Sequence, residues 1–129
     1  MSKKVFDEIN GWVDHKYWGY NDPSLILKGY MHNIPTILDT STMYKHKGKV
    51  KTGFGYPVKS IEPLLNIFHT YYVCFTDHTF ENHWLPLLEK EHKWMYAKGL
   101  EHISNDKIKM EKNKFQNSRQ QDDSCCVEI

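Results

Sequence analysis

The side chains of this sequence that could do chemistry fall into three groups. The first joins imidazole to carboxylate. His78, Glu81, His83, Glu89 and His92 lie in one stretch, and Glu89 with His92 carries the Glu-x-x-His spacing used by di-iron helical bundles. Such a centre needs a second copy of the pair and two further glutamates, and no second copy is present, so neither a metal nor another cofactor is expected. The second group is three titratable side chains at patterned positions: Asp39 at the end of the run 36–38, His102 in step with apolar neighbours, and Tyr17 at helical spacing in the first segment. Each also has a purely structural reading. Asp39 would cap the turn that follows it through its own backbone, His102 would be an ordinary half-exposed histidine, and Tyr17 would be a core aromatic. The third group belongs to the surface. Lys45, Lys47, Lys49 and Lys51 share one parity, a row that could meet phosphate or could guard an edge strand against aggregation. Cys126-Val127-Glu128-Ile129 has the outline of a prenylation box beside Cys125, with basic residues upstream. Lipidated, Cys125 and Cys126 would form a weak membrane tether; unmodified, the hydrophobic end would suit a peptide-binding domain. Cys74, alone in an apolar run, reads as a small core residue.

The elements that must hold these groups read as strands and a few helices. Over residues 93–115, Trp94, Tyr96, Leu100 and His102 share one parity, and Ile108 and Met110 alternate with charged residues. Asn105-Asp106 between them tolerates the positive φ of a tight turn, so a β-hairpin is expected, needing further strands or a helix on its apolar face. The runs 36–38, 42–54 and 71–80 read as additional strands on β-branched and aromatic content. Helical spacing marks 4–20 and 24–31, and most clearly the segment from Ser60, where Ile61, Leu64, Leu65 and Phe68 form a stripe with Pro63 in the first turn. Residues 84–99 also fit a helix, with Pro86 at its start and Gly99 as its cap, in competition with the first arm of the hairpin.

Taken in order, these pieces resemble a known architecture. NDPSLILKGYMHN before ILDTS, Gly48 and Gly53 ahead of VKSIEPLLNIF, and SNDKIKMEKNKF after a turn are together similar to the nuclear-transport-factor-like cone fold. That superfamily includes SnoaL-type cyclases, ketosteroid isomerases and scytalone dehydratase. The likeness spans residues 5–115 and departs from the family at WLPLLEKEH, which is longer and more helical than a link between two strands. It implies an α+β domain in which a bent antiparallel sheet wraps around helices and leaves an internal pocket, where small molecules bind. Several members place an acidic residue near the position of Asp39, which would act as a base at the pocket mouth, its pKa raised by desolvation. His102 would be a second proton-transfer group and Tyr17 a hydrogen-bond donor to a ligand oxygen. Trp12, Trp94, Tyr96 and Phe68 would line the pocket.

Composition sets the outer limits. The 129 residues, 40% hydrophobic and 14% aromatic, are enough for one domain and too few for two, so residues 1–115 are expected to fold as a unit and 116–129, polar and aperiodic, to form a flexible tail. A net charge of +1 gives no general reason to expect a nucleic-acid partner. Three cysteines, two adjacent, do not make a disulfide framework, which points to a reducing compartment. The N-terminal residues lack the apolar core of a signal peptide, and no run reaches the roughly 20 apolar residues of a membrane span. Composition points to a cytoplasmic domain, and the cone-fold resemblance adds the expectation of a homodimer binding a small apolar molecule, with isomerase, cyclase or lyase chemistry at Asp39 and His102. The alternative is a non-catalytic dimeric adaptor. Fold analogy by itself does not choose between the two.

Overall fold

The computed structural model describes residues 1–16, 19–37, 40–41 and 61–124, and among these every regular element is helical. α1 (Lys3–Glu8) is capped by the Ser2 hydroxyl and ends where Asn10 and Gly11 both take positive φ, 59° and 64°. Gly11 thus stops the first helix, which had been expected to run on to residue 20. α2 (Asn21–Met31) begins three residues before the 24–31 segment marked by helical spacing and takes in Pro23, because proline's missing N–H costs little in a first turn. α3 (Glu62–Cys74) carries Pro63 in its first turn and is the helix most plainly written in the sequence.

After α3 the chain turns at Phe75 into α4 (Asp77–Thr79), a π-helical turn (Phe80–Trp84) and α5 (Leu85–Glu91), then a 3-10 turn (Lys93–Met95) and α6 (Tyr96–Ile103). The last helix is α7 (Asp106–Ser118). α3 lies against α2, α6 and α7, and its Leu65, Phe68 and Val73 join Met31, Met95, Ile103, Ile108 and Phe115 in one buried core. Helices packed around a central helix replace the α+β cone: no bent antiparallel sheet forms among the described residues, so these residues supply no sheet to wall the internal pocket that the cone-fold resemblance implied.

The hairpin expectation fails for an identifiable reason. Tyr96 and Leu100 share a parity, but they are also four apart, and the next helix places Ile108, Lys112 and Phe115 on one buried face at intervals of four and three. Asn105 has φ −64° and ψ 133°, and its side-chain oxygen accepts from the Lys107 amide at 2.9 Å. It is a helix N-cap, a role for which asparagine is as well suited as for a turn. Gly99 is not a cap but sits inside α6 against Phe68. The aromatic run 71–80, expected as a strand, is the last turn of α3, a short link at Phe75 and Thr76, α4, and the start of the π-helical stretch. Tyr71 and Phe75 meet edge to face, and both lie tilted against Trp84, at 4.5 and 5.1 Å from the indole. Of the run 36–38, Thr36 and Ile37 are exposed and in no regular element, and Leu38 lies outside the described residues, as does the run 42–54 with its lysine row.

Beyond Phe115 the chain continues as helix to Ser118 and then crosses the molecule. The amides of Gln120 and Gln121 donate to the Met31 carbonyl at the end of α2 (2.9 and 3.0 Å). Arg119 Nη1 donates to the Cys74 carbonyl at 3.1 Å and pairs with Asp123, whose other oxygen accepts from the Thr76 amide at 2.9 Å. Residues 119–124 therefore clip the ends of α2 and α3 together. Cys125 and Cys126 lie outside the described residues.

Candidate functional site: a basic cleft above a histidine stack

α3, α6, α7 and the loop between α1 and α2 leave an open cleft of about 1110 Å³ between them. Its floor is apolar, from Leu65, Ile108 and Phe115, and its polar groups come from helices that meet only in the tertiary structure. His69 follows Leu65 by four positions on the buried stripe of α3, and Glu111 follows Ile108 by three on α7, so core packing directs both toward the same space. His69 Nε2 donates to Glu111 Oε2 at 2.8 Å, and Glu111 Oε1 accepts from the Asp14 amide at 3.0 Å. One carboxylate thus joins α3, α7 and the loop.

Three imidazoles stand in a row. The His15 and His69 rings are 5.4 Å apart and the His69 and His102 rings 5.5 Å apart, both edge to face. His15 is held at both nitrogens, donating from Nδ1 to Asn21 Oδ1 (2.9 Å) and pairing through Nε2 with the Thr70 hydroxyl (2.8 Å). Asn21, His15 and Thr70 have the connectivity of an orienter, a base and a nucleophile. Thr70, however, is completely buried in α3, where no substrate reaches its oxygen, so this trio is structural. His69 is buried, and its Nδ1 has no hydrogen-bond partner among the described residues.

The electrostatics follow from burial and from like charges in line. Burial pushes the His102 imidazole down to about 4, with His69, Lys16 and His15 adding repulsion. Burial also lowers His15, against the opposing pull of its bond to Asn21. Burial alone would raise Glu111, but the hydrogen bond and charge of His69, the Asp14 amide and the Lys28 ammonium together hold it below the usual carboxylate value. Lys28 is 1% exposed and donates to the carbonyls of Asn10 (3.1 Å) and Trp12 (3.5 Å), which ties the α1–α2 loop to α2. Its desolvation lowers its pKa.

A pH prediction follows from His102. Its folded pKa lies below the roughly 6.5 of an unfolded histidine, so its contribution to stability is full above about pH 6.5 and is lost as pH falls toward 4. With a discount for solvent at this part-exposed ring, the loss amounts to about 1–2 kcal/mol. Urea unfolding of wild type and His102→Gln at pH 7 and pH 5 is expected to show the variant losing less stability across that interval. The imidazole carbon proton of His102 is expected to titrate near 4 by NMR.

Of the residues singled out in the sequence, His102 and Trp12 line this cleft. Trp94 is not among its lining residues and stands exposed on the 3-10 turn. Phe68 is completely buried beneath Gly99, and Tyr96 packs on it at 6.1 Å between ring centres. Tyr17 and Asp39 lie outside the described residues. His69, Glu111, Lys28 and His15 were not singled out from the sequence, although a histidine on the apolar stripe of α3 was a legible signal. His78 is exposed beside Asn82, and His83 meets Trp84 edge to face at 4.7 Å between ring centres. Among the described residues no group of three or more His, Cys, Asp or Glu side chains is placed to hold a metal ion.

Fold and site together define a small helical protein with an open, basic cleft over an imidazole–carboxylate cluster. Compared with family models, with curated proteins and with solved structures, the chain matches none. No helix among the described residues is long and apolar enough to cross a membrane.

Proposed function

We propose that the chain binds a small molecule in this cleft and that His102, backed by the His69–Glu111 pair, transfers a proton to or from it. The observation that carries the reading is the convergence of a carboxylate-anchored imidazole and a second, neutral imidazole on one cleft that is open to solvent. The cleft volume, about 1110 Å³, lies just above the about 300–1,000 Å³ that small-ligand sites use. A neutral His102 at pH 7 is an acceptor, and Glu111 fixes the tautomer and orientation of the ring behind it, as carboxylate–histidine pairs do in general acid–base centres. His69 Nδ1 adds a buried polar atom without a protein partner among the described residues, a group that a ligand or a water would satisfy. The chemistry is proton abstraction next to a carbonyl, as an isomerase or lyase requires.

The test is deuterium incorporation, followed by NMR, into a panel of small carbonyl compounds incubated with the protein in D₂O. Exchange at the carbon beside the carbonyl is expected to exceed the buffer rate for at least one compound and to fall by about 10²–10⁴-fold in His102→Phe. Exchange at the buffer rate for every compound, with none bound, would refute the reading.

A second reading has an observation of its own. Trp94 is 64% exposed and Leu87 and Leu100 are exposed on neighbouring helical segments, which supports a homodimer or an adaptor surface. A mass by light scattering that stays monomeric at all concentrations, and is unchanged in Trp94→Lys, would remove it.

A further inference from the structure

The charge around the cleft is uneven. Lys16, Lys28, Lys98, Lys107 and Lys114 line it, against Asp14, Glu101 and Glu111. Five cations less three carboxylates leaves +2 locally with histidines neutral, whereas the whole 129-residue chain carries +1. Glu111 is engaged by His69, and Lys28 is buried on backbone carbonyls. Lys98, Lys107 and Lys114 are exposed and form no ion pair among the described residues, unlike Lys109 and Lys112 on the same helix as two of them. Two apolar side chains lie among them at the cleft: Trp12, 52% exposed, and Met110, 63% exposed. Large apolar groups left in water beside unpaired cations are the two halves of a recognition site for an amphiphilic anion.

We propose that the cleft takes a small organic anion with a flat apolar body, its charged group met by Lys98, Lys107 and Lys114 and its body lying against Trp12 and Met110. This deepens the small-molecule reading above and rests on it. An indole and a thioether are suited to a flat ring system, and lysine ammoniums on flexible stems adapt to a carboxylate or a phosphate monoester alike. The polar cluster then has a use for the ligand charge. His102 is kept neutral by burial and by its cationic neighbours, and an anion entering the cleft would oppose both effects and raise its pKa toward neutrality. Binding would thereby bring the imidazole closer to the range in which it exchanges protons at pH 7.

The experiment compares 2-naphthoate, 1-naphthyl phosphate, neutral 2-naphthamide and cationic 2-naphthylmethylamine on the full chain, by calorimetry and by backbone and histidine NMR. The two anions are expected to bind at least about tenfold more tightly than the amide, with the cation weakest. Their binding should perturb Trp12, Ile108 and His102 and weaken as salt rises. Lys107→Gln/Lys114→Gln should weaken naphthoate about tenfold or more while changing amide binding by less than about twofold. Lys3→Gln/Lys4→Gln, on α1, should change neither. His102 should titrate at higher pH with naphthoate bound than with naphthamide bound. Equal binding of anion and amide, or no effect of the cleft lysine variant, overturns the anion inference and leaves the small-molecule reading standing. Failure of all four compounds to perturb any cleft residue overturns both. Preference for the phosphate over the carboxylate, or the reverse, identifies which anion class the lysines are set to receive.

Discussion

Asp123→Ala is expected to remove about 3–5 kcal/mol of folding stability, lowering Tm by about 10 °C or more. Arg119 and Asp123 are both nearly buried and pair with each other. Asp123 also accepts from the Thr76 amide and hydroxyl, and Arg119 donates to the Cys74 carbonyl. Truncating the acid strands a guanidinium in a dry site and leaves the amide at the start of α4 without its acceptor, and each loss carries a desolvation penalty. The same substitution releases residues 119–124 from the ends of α2 and α3. Differential scanning calorimetry of Asp123→Ala, alone and with Arg119→Met, checks the cause. The double variant should recover a large part of the loss, because an apolar pair in place of a buried ion pair is close to neutral. A Tm within a degree of wild type for the single variant would show that the pair contributes nothing. Burial pushes the Asp123 carboxyl up, but the hydrogen bonds from Thr76, Thr79 and Arg119 outweigh it and hold the pKa below its ordinary value. Its stabilisation is therefore present above about pH 4 and lost as pH falls through the lower folded value.

Gly99→Ala is the second large effect. A Cβ at this position would lie 2.5 Å from Cε1 and 2.6 Å from Cδ1 of Phe68, a ring that is itself completely buried at the centre of the core. Alanine in place of a helix-interior glycine normally adds about 1 kcal/mol of stability. Here the ring must move or α6 must lift from α3, and overpacking of a dense core costs about 1–3 kcal/mol and sometimes more. The net loss is expected at about 2 kcal/mol, together with a shift of His102, three residues further along α6, away from His69. Chemical denaturation measures the first and the His102 pKa the second. Phe68→Leu in the same chain should restore part of the stability, since a smaller side chain leaves room for the methyl group. A Gly99→Ala protein more stable than wild type would show that α6 does not approach α3 as closely as the Phe68 contact requires.

Several features were readable in the residues alone. The helix around Pro63, Leu64, Leu65 and Phe68 was, because its apolar spacing and first-turn proline are local signals that agree. The helical alternative for residues 84–99 was, through Pro86. His102, by contrast, was chosen for a strand parity that α6 does not have, and it lines the cleft because that segment is helical. Over residues 93–115 local signals conflict: positions two apart and four apart coincide on the same residues, and an Asn-Asp pair suits a tight turn and a helix start equally. The sheet that followed from reading them as strands, and with it the cone, does not occur among the described residues.

What the residues determined by themselves is that this chain has enough apolar surface for a core and one unmistakable helix to build it on. What only the tertiary structure decided is that residues 93–115 are helical and which histidine meets which carboxylate. His69 and Glu111 are 42 positions apart. Their meeting depends on how α7 crosses α3, and that crossing is set by the volumes of buried side chains such as Leu65, Ile108 and Phe115, which no periodicity along the chain records.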